Sequence, residues 1–422
     1  MSETQVSEAP ETKGTKGSVN RSWTITLFGT AVGAGILFLP ISAGSFGFWP
    51  LLIATVLIGP MTYFAHLAFS WMMSSSRLQG EDVLVILTDY FGKNAGIVIA
   101  IIYWFTFFPV VLIYGVSIVN TVDSFVVNQL DGPSISRWVL APVLVGLMTL
   151  ALAFGDKIML IVAQFVVYPL IIALAVVSLY LIPQWDFASF IEAGPKDAGG
   201  MVSAMILILP VLVFAFSFVA AISQFVLDME HEYGENHGKQ TTKVIRNAVV
   251  LLTVFTMFFV WSSALAMGAD GMDAANEQNL PVLSYFANVT GTPFMAYMAP
   301  VVVICAIASS YFGHSLGTVE GTRYLVGLVF PASKKVSTRK MDLWVYLFIF
   351  IATSIVAVFN PSILDMISVV GGIFFALMTY LLPMFAIYKV DALKKFRSRK
   401  TNYFVMVMGV LVLFATIWDM VS

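Results

Sequence analysis

The 422-residue chain is 59% hydrophobic and 11% charged, with a mean hydropathy of +0.90 and a formal net charge of −2. This composition excludes a soluble globular protein, because apolar runs recur along the whole chain. The small net charge indicates no nucleic-acid surface, and a lone Cys305 excludes an internal disulfide. We therefore expect an all-α polytopic membrane protein embedded in a lipid bilayer.

The first stretch, residues 1–20, is polar and lacks the apolar core and cleavage site of a signal peptide. We expect it to be a disordered cytoplasmic tail, followed by one membrane domain over residues 21–422. Hydropathy predicts eleven transmembrane helices, at residues 22–44, 48–74, 95–127, 136–154, 157–182, 201–226, 246–268, 294–325, 342–360, 363–388 and 403–421. A short surface helix is expected at residues 80–90.

Basic residues predict the orientation of these helices. If the N-terminus is cytoplasmic, 20 of the 22 Lys and Arg residues lie in the tail or in cytoplasmic loops, and only Arg137 and Lys196 lie outside. The positive-inside rule thus predicts a cytoplasmic N-terminus and a periplasmic C-terminus. The basic cluster at residues 389–400 fits this role in topology, or a site for lipid headgroups.

A glycine-rich stretch, Gly29–Gly35, lies inside the first predicted transmembrane helix. Each glycine weakens a helix by about 1 kcal/mol relative to alanine. Two interpretations fit: a small-residue face for close helix packing, or a break in the helix that lines a cavity and frees backbone amides for a ligand.

The sixth predicted helix carries a second interruption signal. Pro210 lacks a backbone donor, and the aromatic-rich stretch Val213–Phe218 follows it. A kinked but continuous helix is one interpretation. The other is a transporter built from two inverted five-helix repeats, residues 22–182 and 201–388, with broken first and sixth helices and an extra helix at 403–421.

Two facing breaks are suited to an α-amino acid. Amides at the positive end of the outer half of helix 1 would bind a carboxylate, and carbonyls of helix 6 would bind an ammonium group. The candidate substrate-binding residues are Thr30, Ala31, Gly33, Ala34, Gly35, Phe214, Phe216, Ser217 and Phe218.

The eighth predicted helix carries hydroxyls that could bind an ion. Hydroxyl and carbonyl oxygens suit a hard cation, so we consider a sodium site formed by Ala31, Ala34, Ala306, Ser309 and Ser310. Alternatively, the serines bond to their own helix.

Two histidines, His66 and His314, lie deep in the predicted spans. His314 is a candidate proton relay, although a hydrogen-bonded packing role is the simpler interpretation. The carboxylates of the spans fall near span ends, where solvated or capping roles are expected: Asp123, Asp156, Asp228, Glu320 and Asp365. No catalytic constellation, metal-ligand spacing or phosphate loop occurs, so an enzyme is not expected.

The chain resembles the hydroxy/aromatic amino acid permease family, and is closest to its serine/threonine branch. The similar segments include Gly29–Gly44, Gly80–Asp82, Tyr180–Trp185, Glu277–Asn279, Ser284–Tyr285, Met298–Pro300, Phe312–His314, Glu320–Gly321 and Asn360–Leu364. The resemblance implies an eleven-helix bacterial inner-membrane permease with a leucine-transporter-like core, which imports amino acids by symport with Na⁺ or H⁺. It implies no organic cofactor and no obligatory protein partner.

Two departures from the family pattern affect the expected substrate and ion. Where serine/threonine members typically carry Asn-His-Ser-Pro in helix 6, this chain has Ser217–Ala220, and where they tend to carry a lysine in helix 8, it has Ser309. The first keeps aromatic or larger apolar substrates as an alternative to serine or threonine, and the second favours sodium over protons. A passive channel or a receptor is the more distant alternative.

Overall fold

The computed structural model describes residues 16–78, 81–153, 156–330 and 337–421. At residues 16, 34 and 156–166 it describes the backbone only. In these ranges the chain is helical and contains no strand. This is the expected outcome for an apolar chain, because a helix satisfies every backbone group within its own segment. The prediction of an all-α polytopic membrane protein is confirmed.

The described residues of the first half of the chain form eight α-helices. They are α1 (Lys16–Ala31), α2 (Ala34–Gly44), α3 (Phe48–Ser74), α4 (Val83–Phe91), α5 (Lys93–Asn128), α6 (Arg137–Leu152), α7 (Asp156–Leu181) and α8 (Phe187–Glu192). The predicted surface helix corresponds to α4, although it begins three residues later than expected and Gly80 lies outside the described residues. The tail at residues 1–15 also lies outside them.

In the second half, the part of the chain that the structure describes forms nine α-helices and one π-helical segment. They are α9 (Ala198–Ala215), α10 (Val219–Tyr233), α11 (His237–Glu277), α12 (Val282–Val289), α13 (Pro293–Val329), α14 (Thr338–Phe359), α15 (Ile363–Val369), a π segment (Val370–Leu381), α16 (Leu382–Lys389) and α17 (Thr401–Val421). Hydropathy predicted one α-helix at 363–388 and gave no sign of the π turns.

The helix lengths agree with the predicted spans. Among the described residues, nine helical segments are long and apolar enough to cross a membrane, and the bent pair α1 and α2 makes a tenth. Helix α6 has 16 residues and occupies the place of the predicted fourth span, although a straight span needs about 20. These segments account for all eleven predicted positions.

Helix packing follows the same pattern in the two halves of the chain. Helices α1 and α2 pack on α11, and α9 and α10 pack on α3. In the same way α7 packs on α13, and the π segment packs on α5. Exchange of partners of this kind is what two repeats related by a two-fold axis produce. The repeat boundaries themselves stay a prediction.

Candidate transport site

The first membrane span is interrupted where the glycine-rich stretch predicted it. Helix α1 ends at Ala31, α2 begins at Ala34, and the two axes differ by 57°. Gly33 has an extended backbone, with φ −148° and ψ −153°. The break interpretation is therefore supported over a continuous helix with a packing face.

Gly33 lies against helices α13 and α5 with no room for a side chain. A Cβ atom added there would lie 2.2 Å from Ser310 Oγ and 3.0 Å from Tyr114 Oη. Ser310 Oγ donates a hydrogen bond of 3.1 Å to the Val32 carbonyl, which the break leaves without its helical partner. The absence of a side chain at Gly33 is thus what lets α13 reach the interrupted backbone.

The sixth span is interrupted as well. Helix α9 ends at Ala215 and α10 begins at Val219, and the break is Phe216–Phe218. The Phe218 amide donates to Nε2 of His66, at 3.1 Å, and the two rings stack at 3.9 Å. Since Nε2 accepts this bond, the His66 proton must lie on Nδ1, which contacts the Thr62 carbonyl at 2.8 Å. His66 is therefore a hydrogen-bonded packing histidine, and its partner is the break itself.

The two breaks lie next to each other. A Cβ added to Gly35 would lie 2.8 Å from Cα of Ala215, so the start of α2 contacts the end of α9. On its other side, α9 meets the π segment, where a Cβ at Gly371 would lie 2.2 Å from the Pro210 carbonyl oxygen. Glycines therefore allow backbone-to-backbone contact at both interfaces.

A cavity of about 100 Å³ extends along α1 to the first break. Its volume is enough for several water molecules or a small solute. The lining comes from α1, α7 and α13, and consists of Ser22, Ile25, Thr26, Gly29, Thr30, Val167, Tyr168, Ser309, Ser310, Phe312, Gly313, His314 and Leu316. Ser22 lies near the N-terminal end of α1, so the cavity runs from that end of the molecule to the middle of the bundle.

The predicted ion-binding oxygens of α13 lie at the inner end of this cavity. Ser309 Oγ donates to the Ala306 carbonyl at 3.1 Å, and Ser310 Oγ donates to the Val32 carbonyl. The helix-1 carbonyl that α13 reaches is thus that of Val32, whereas the sequence suggested Ala31 and Ala34. In the described residues no group of three His, Cys, Asp or Glu side chains could hold a metal. A cation at this place would have neutral oxygen ligands.

His314 lies one helical turn beyond the serines and lines the same cavity. Its Nδ1 contacts the Ser310 carbonyl at 2.9 Å, and the Tyr114 ring meets its ring edge-on at 5.6 Å. This is a hydrogen-bonded packing histidine that also reaches the cavity wall, so the relay assignment stays a prediction.

The predicted substrate residues divide into two groups. Thr30 lines the cavity, and Ala31, Gly33, Ala34 and Gly35 form the break beside it. The helix-6 residues Phe214, Phe216, Ser217 and Phe218 are buried and do not line the cavity. Phe214 packs edge-on against Phe375 at 5.6 Å. In this conformation the phenyl rings of helix 6 fill the space between helices.

Sequence reasoning did not identify Tyr114, and it did not predict the hydrogen bond of Glu320 to a buried partner. Tyr114, in α5, is 2% exposed and places its hydroxyl beside Gly33. Glu320 was expected to be solvated near a span end, but its Oε2 accepts a 2.9 Å hydrogen bond from the buried Tyr103. Their partners are more than 70 positions away in sequence, so no local pattern marks them.

Comparison with known proteins gives a consistent result. The family model described as "Transmembrane amino acid transporter protein" matches residues 16–422. The serine transporter SdaC of Escherichia coli (strain K12) is 37% identical over 409 residues, which cover 95% of this chain and 94% of that protein. The threonine/serine transporter TdcC of Yersinia enterocolitica is 37% identical over 421 residues, covering 94% of this chain and 95% of that protein.

Proposed function

Because the chain belongs to the transmembrane amino acid transporter family, we propose that it is a secondary active importer of serine or threonine in the bacterial inner membrane. Similarity over nearly the full length to a serine transporter and to a threonine/serine transporter supports this substrate class. The prediction of amino acid transport from sequence is confirmed at the level of the family, and the family indicates a transporter rather than an enzyme.

The observation that carries the proposal is the cavity that ends at the broken first helix. Backbone amides at the start of α2 lie at the positive end of a helix, which attracts a carboxylate. Tyr114 and Ser310 add hydroxyls at the same place. A small zwitterion with a short polar side chain suits this site better than an aromatic amino acid does.

We propose sodium as the coupling ion. Ser310 Oγ bonds the Val32 carbonyl at the break, and the adjacent Ser309, which also lines the cavity, bonds the Ala306 carbonyl of its own helix. Unwound carbonyls are used for sodium in transporters with broken helices. The membrane potential contributes about 2.3 kcal/mol per charge per 100 mV to uptake.

The direction of the cavity supports a cytoplasmic-facing state. The start of α1 is joined to the start of α11 by a 2.9 Å hydrogen bond from Asn20 to Gln240. The positive-inside rule places this end of the molecule in the cytoplasm. At the other end α2 is closed against α11, since a Cβ at Gly44 would lie 3.0 Å from Met272. Alternating access would then proceed by opening this second end.

The test is uptake into proteoliposomes under separate sodium and proton gradients. Radiolabelled serine should accumulate above equilibrium with a sodium gradient, with unlabelled threonine competing and tryptophan not competing. If tryptophan alone competes, the substrate belongs to the aromatic class. If serine equilibrates without accumulating, the protein is a passive channel. Uptake driven by a pH gradient without sodium would refute the sodium assignment and leave amino acid transport intact.

A further inference from the structure

A second pocket, of about 590 Å³, lies at the same end of the molecule as the start of α1. It is separate from the cavity that extends along α1 to the first break. It is enclosed by the end of α3, the start of α11 and the segment between α16 and α17. The lining consists of Trp71, Ser74, Glu235, Asn236, His237, Gly238, Lys239, Thr242, Lys395, Phe396 and Arg399. We call it the basic pocket.

Aromatic rings fix the cations of the basic pocket in place. The rings of Trp71 and Phe396 stack at 4.5 Å with an interplanar angle of 3°. The Arg399 guanidinium lies 4.3 Å from the centre of the Trp71 ring, and Lys395 Nζ lies 5.0 Å from the centre of the Phe396 ring. Cation–π contacts of this kind hold the two cations beside the aromatic pair.

The charge of the basic pocket is positive. Lys239, Lys395 and Arg399 line it together with a single carboxylate, Glu235. Within the described part of the chain none of these three cations forms a salt bridge. Burial and the neighbouring Lys395 lower the pKa of His237, which disfavours a charge on this side chain.

Helix α11 contributes a further attraction for an anion. It runs from His237 to a kink at Gly268, where φ is 68°, and the side chain of its N-cap residue, Asn236, makes no capping hydrogen bond. The first turn of a long helix carries a partial positive charge and free amides, which bind phosphate groups. Gly238 and Lys239 belong to this turn and line the pocket.

We propose that the basic pocket binds the phosphate group of an anionic membrane lipid. Its walls are the ends of membrane-spanning helices, and Trp71 is an aromatic residue of the kind that lies at the membrane interface. Lipid phosphate is therefore present at high local concentration where the pocket opens. A headgroup bound there would join α3 and α11, which pack on the two broken helices, to the segment that leads into the last helix.

Native mass spectrometry of the purified full-length protein tests this binding without any transport assay. The probes are phosphatidylglycerol, phosphatidylcholine and inorganic phosphate. We expect bound phosphatidylglycerol, and a loss of affinity of about fivefold for each cation removed in the K395Q/R399Q double variant. The E235Q variant, which removes the one carboxylate, should bind more tightly.

The matched control is the K394Q/K400Q double variant, which removes two charges from the same segment outside the pocket. It should retain binding. An equal loss of phosphatidylglycerol affinity in both double variants would show that general surface charge causes the binding, and it would overturn the proposal. Displacement of phosphatidylglycerol by millimolar inorganic phosphate would refute the lipid as the source, and equal binding of phosphatidylcholine would refute recognition of negative charge.

Discussion

At the scale of single residues, the candidate site depends on the absence of a side chain at Gly33. Its backbone is extended and is open to any residue, so a left-handed conformation does not explain the glycine. Close approach does: Ser310 and Tyr114 occupy the space where a Cβ atom would lie. The three-glycine stretch indicated a break as one of two interpretations, but these two partners come from α13 and α5 and could not be predicted from it.

Replacing Gly33 with leucine should abolish uptake, because the new side chain would displace Ser310 from the Val32 carbonyl. Gly33→Ala should also reduce uptake strongly, since overpacking of this kind costs about 1–3 kcal/mol. Initial rates in proteoliposomes measure both, and gel filtration verifies folding. Gly59→Ala is the control, because its added Cβ would lie 3.5 Å from Thr253, an ordinary contact. Normal transport by Gly33→Leu would refute the break as the site.

Loss of the Ser309 or Ser310 hydroxyl should change the sodium dependence of uptake, whereas loss of another hydroxyl of α13 should not. Ser309→Ala and Ser310→Ala should each raise the sodium concentration for half-maximal uptake by tenfold or more, since each removes one oxygen ligand, an effect of about 1.4 kcal/mol. Sodium titrations of serine uptake measure this change. Thr318→Val removes a hydroxyl that donates to the His314 carbonyl within the same helix, and its sodium dependence should not change. Unaltered sodium dependence in both serine variants would exclude the proposed ion site.

At the scale of secondary-structure elements, the interrupted helices were predictable and their stabilising partners were not. Glycine acts locally, so Gly29–Gly35 indicated where α1 ends, whereas Pro210 lies inside α9, which continues beyond it to Ala215. The acceptor for the Phe218 amide is His66, 152 positions away, and only the packing of α3 on α9 and α10 brings it there. The helix-6 phenylalanines were candidate substrate-binding residues, and in the structure Phe218 stacks on His66.

The hydrogen bond from Phe218 to His66 should stabilise the second break. His66→Phe keeps an aromatic ring against Phe218 but leaves the buried amide without an acceptor, which costs about 1–3 kcal/mol. We expect a lower midpoint of thermal unfolding in detergent. His66→Gln, which restores an oxygen acceptor, should recover part of the loss. Equal midpoints for His66→Phe and the unmodified protein would show that the bond does not matter for stability.

At the scale of the whole molecule, hydropathy predicted the eleven spans because a bilayer forces each apolar segment to be a helix. It could not indicate which end is open. The cavity along α1 reaches the end that holds the start of α1, whereas a polar network joins several segments at the opposite end. The network is centred on Asn279, whose side chain bonds Asn360 at 3.0 Å and the Ile363 amide at 2.9 Å, and whose carbonyl accepts from Asn120 at 2.8 Å. These bonds join the α11–α12 loop to α5, α14 and α15.

Loosening this network should favour the state that is open at the second end. Asn279→Gly removes the side-chain bonds while tolerating the positive φ of 53° at this position. The reporter is a cysteine at Ser42, which is 6% exposed in α2, in a Cys305→Ala background. We expect a membrane-impermeant maleimide, added from outside to right-side-out vesicles, to label it several-fold faster in the Asn279→Gly variant.

Asn288→Ala is the control, since Asn288 bonds Ser124 and Gln129 between α12 and α5 and lies outside the network. Unchanged labelling in Asn279→Gly, or equal acceleration in both variants, would show that the Asn279 network does not hold this end closed.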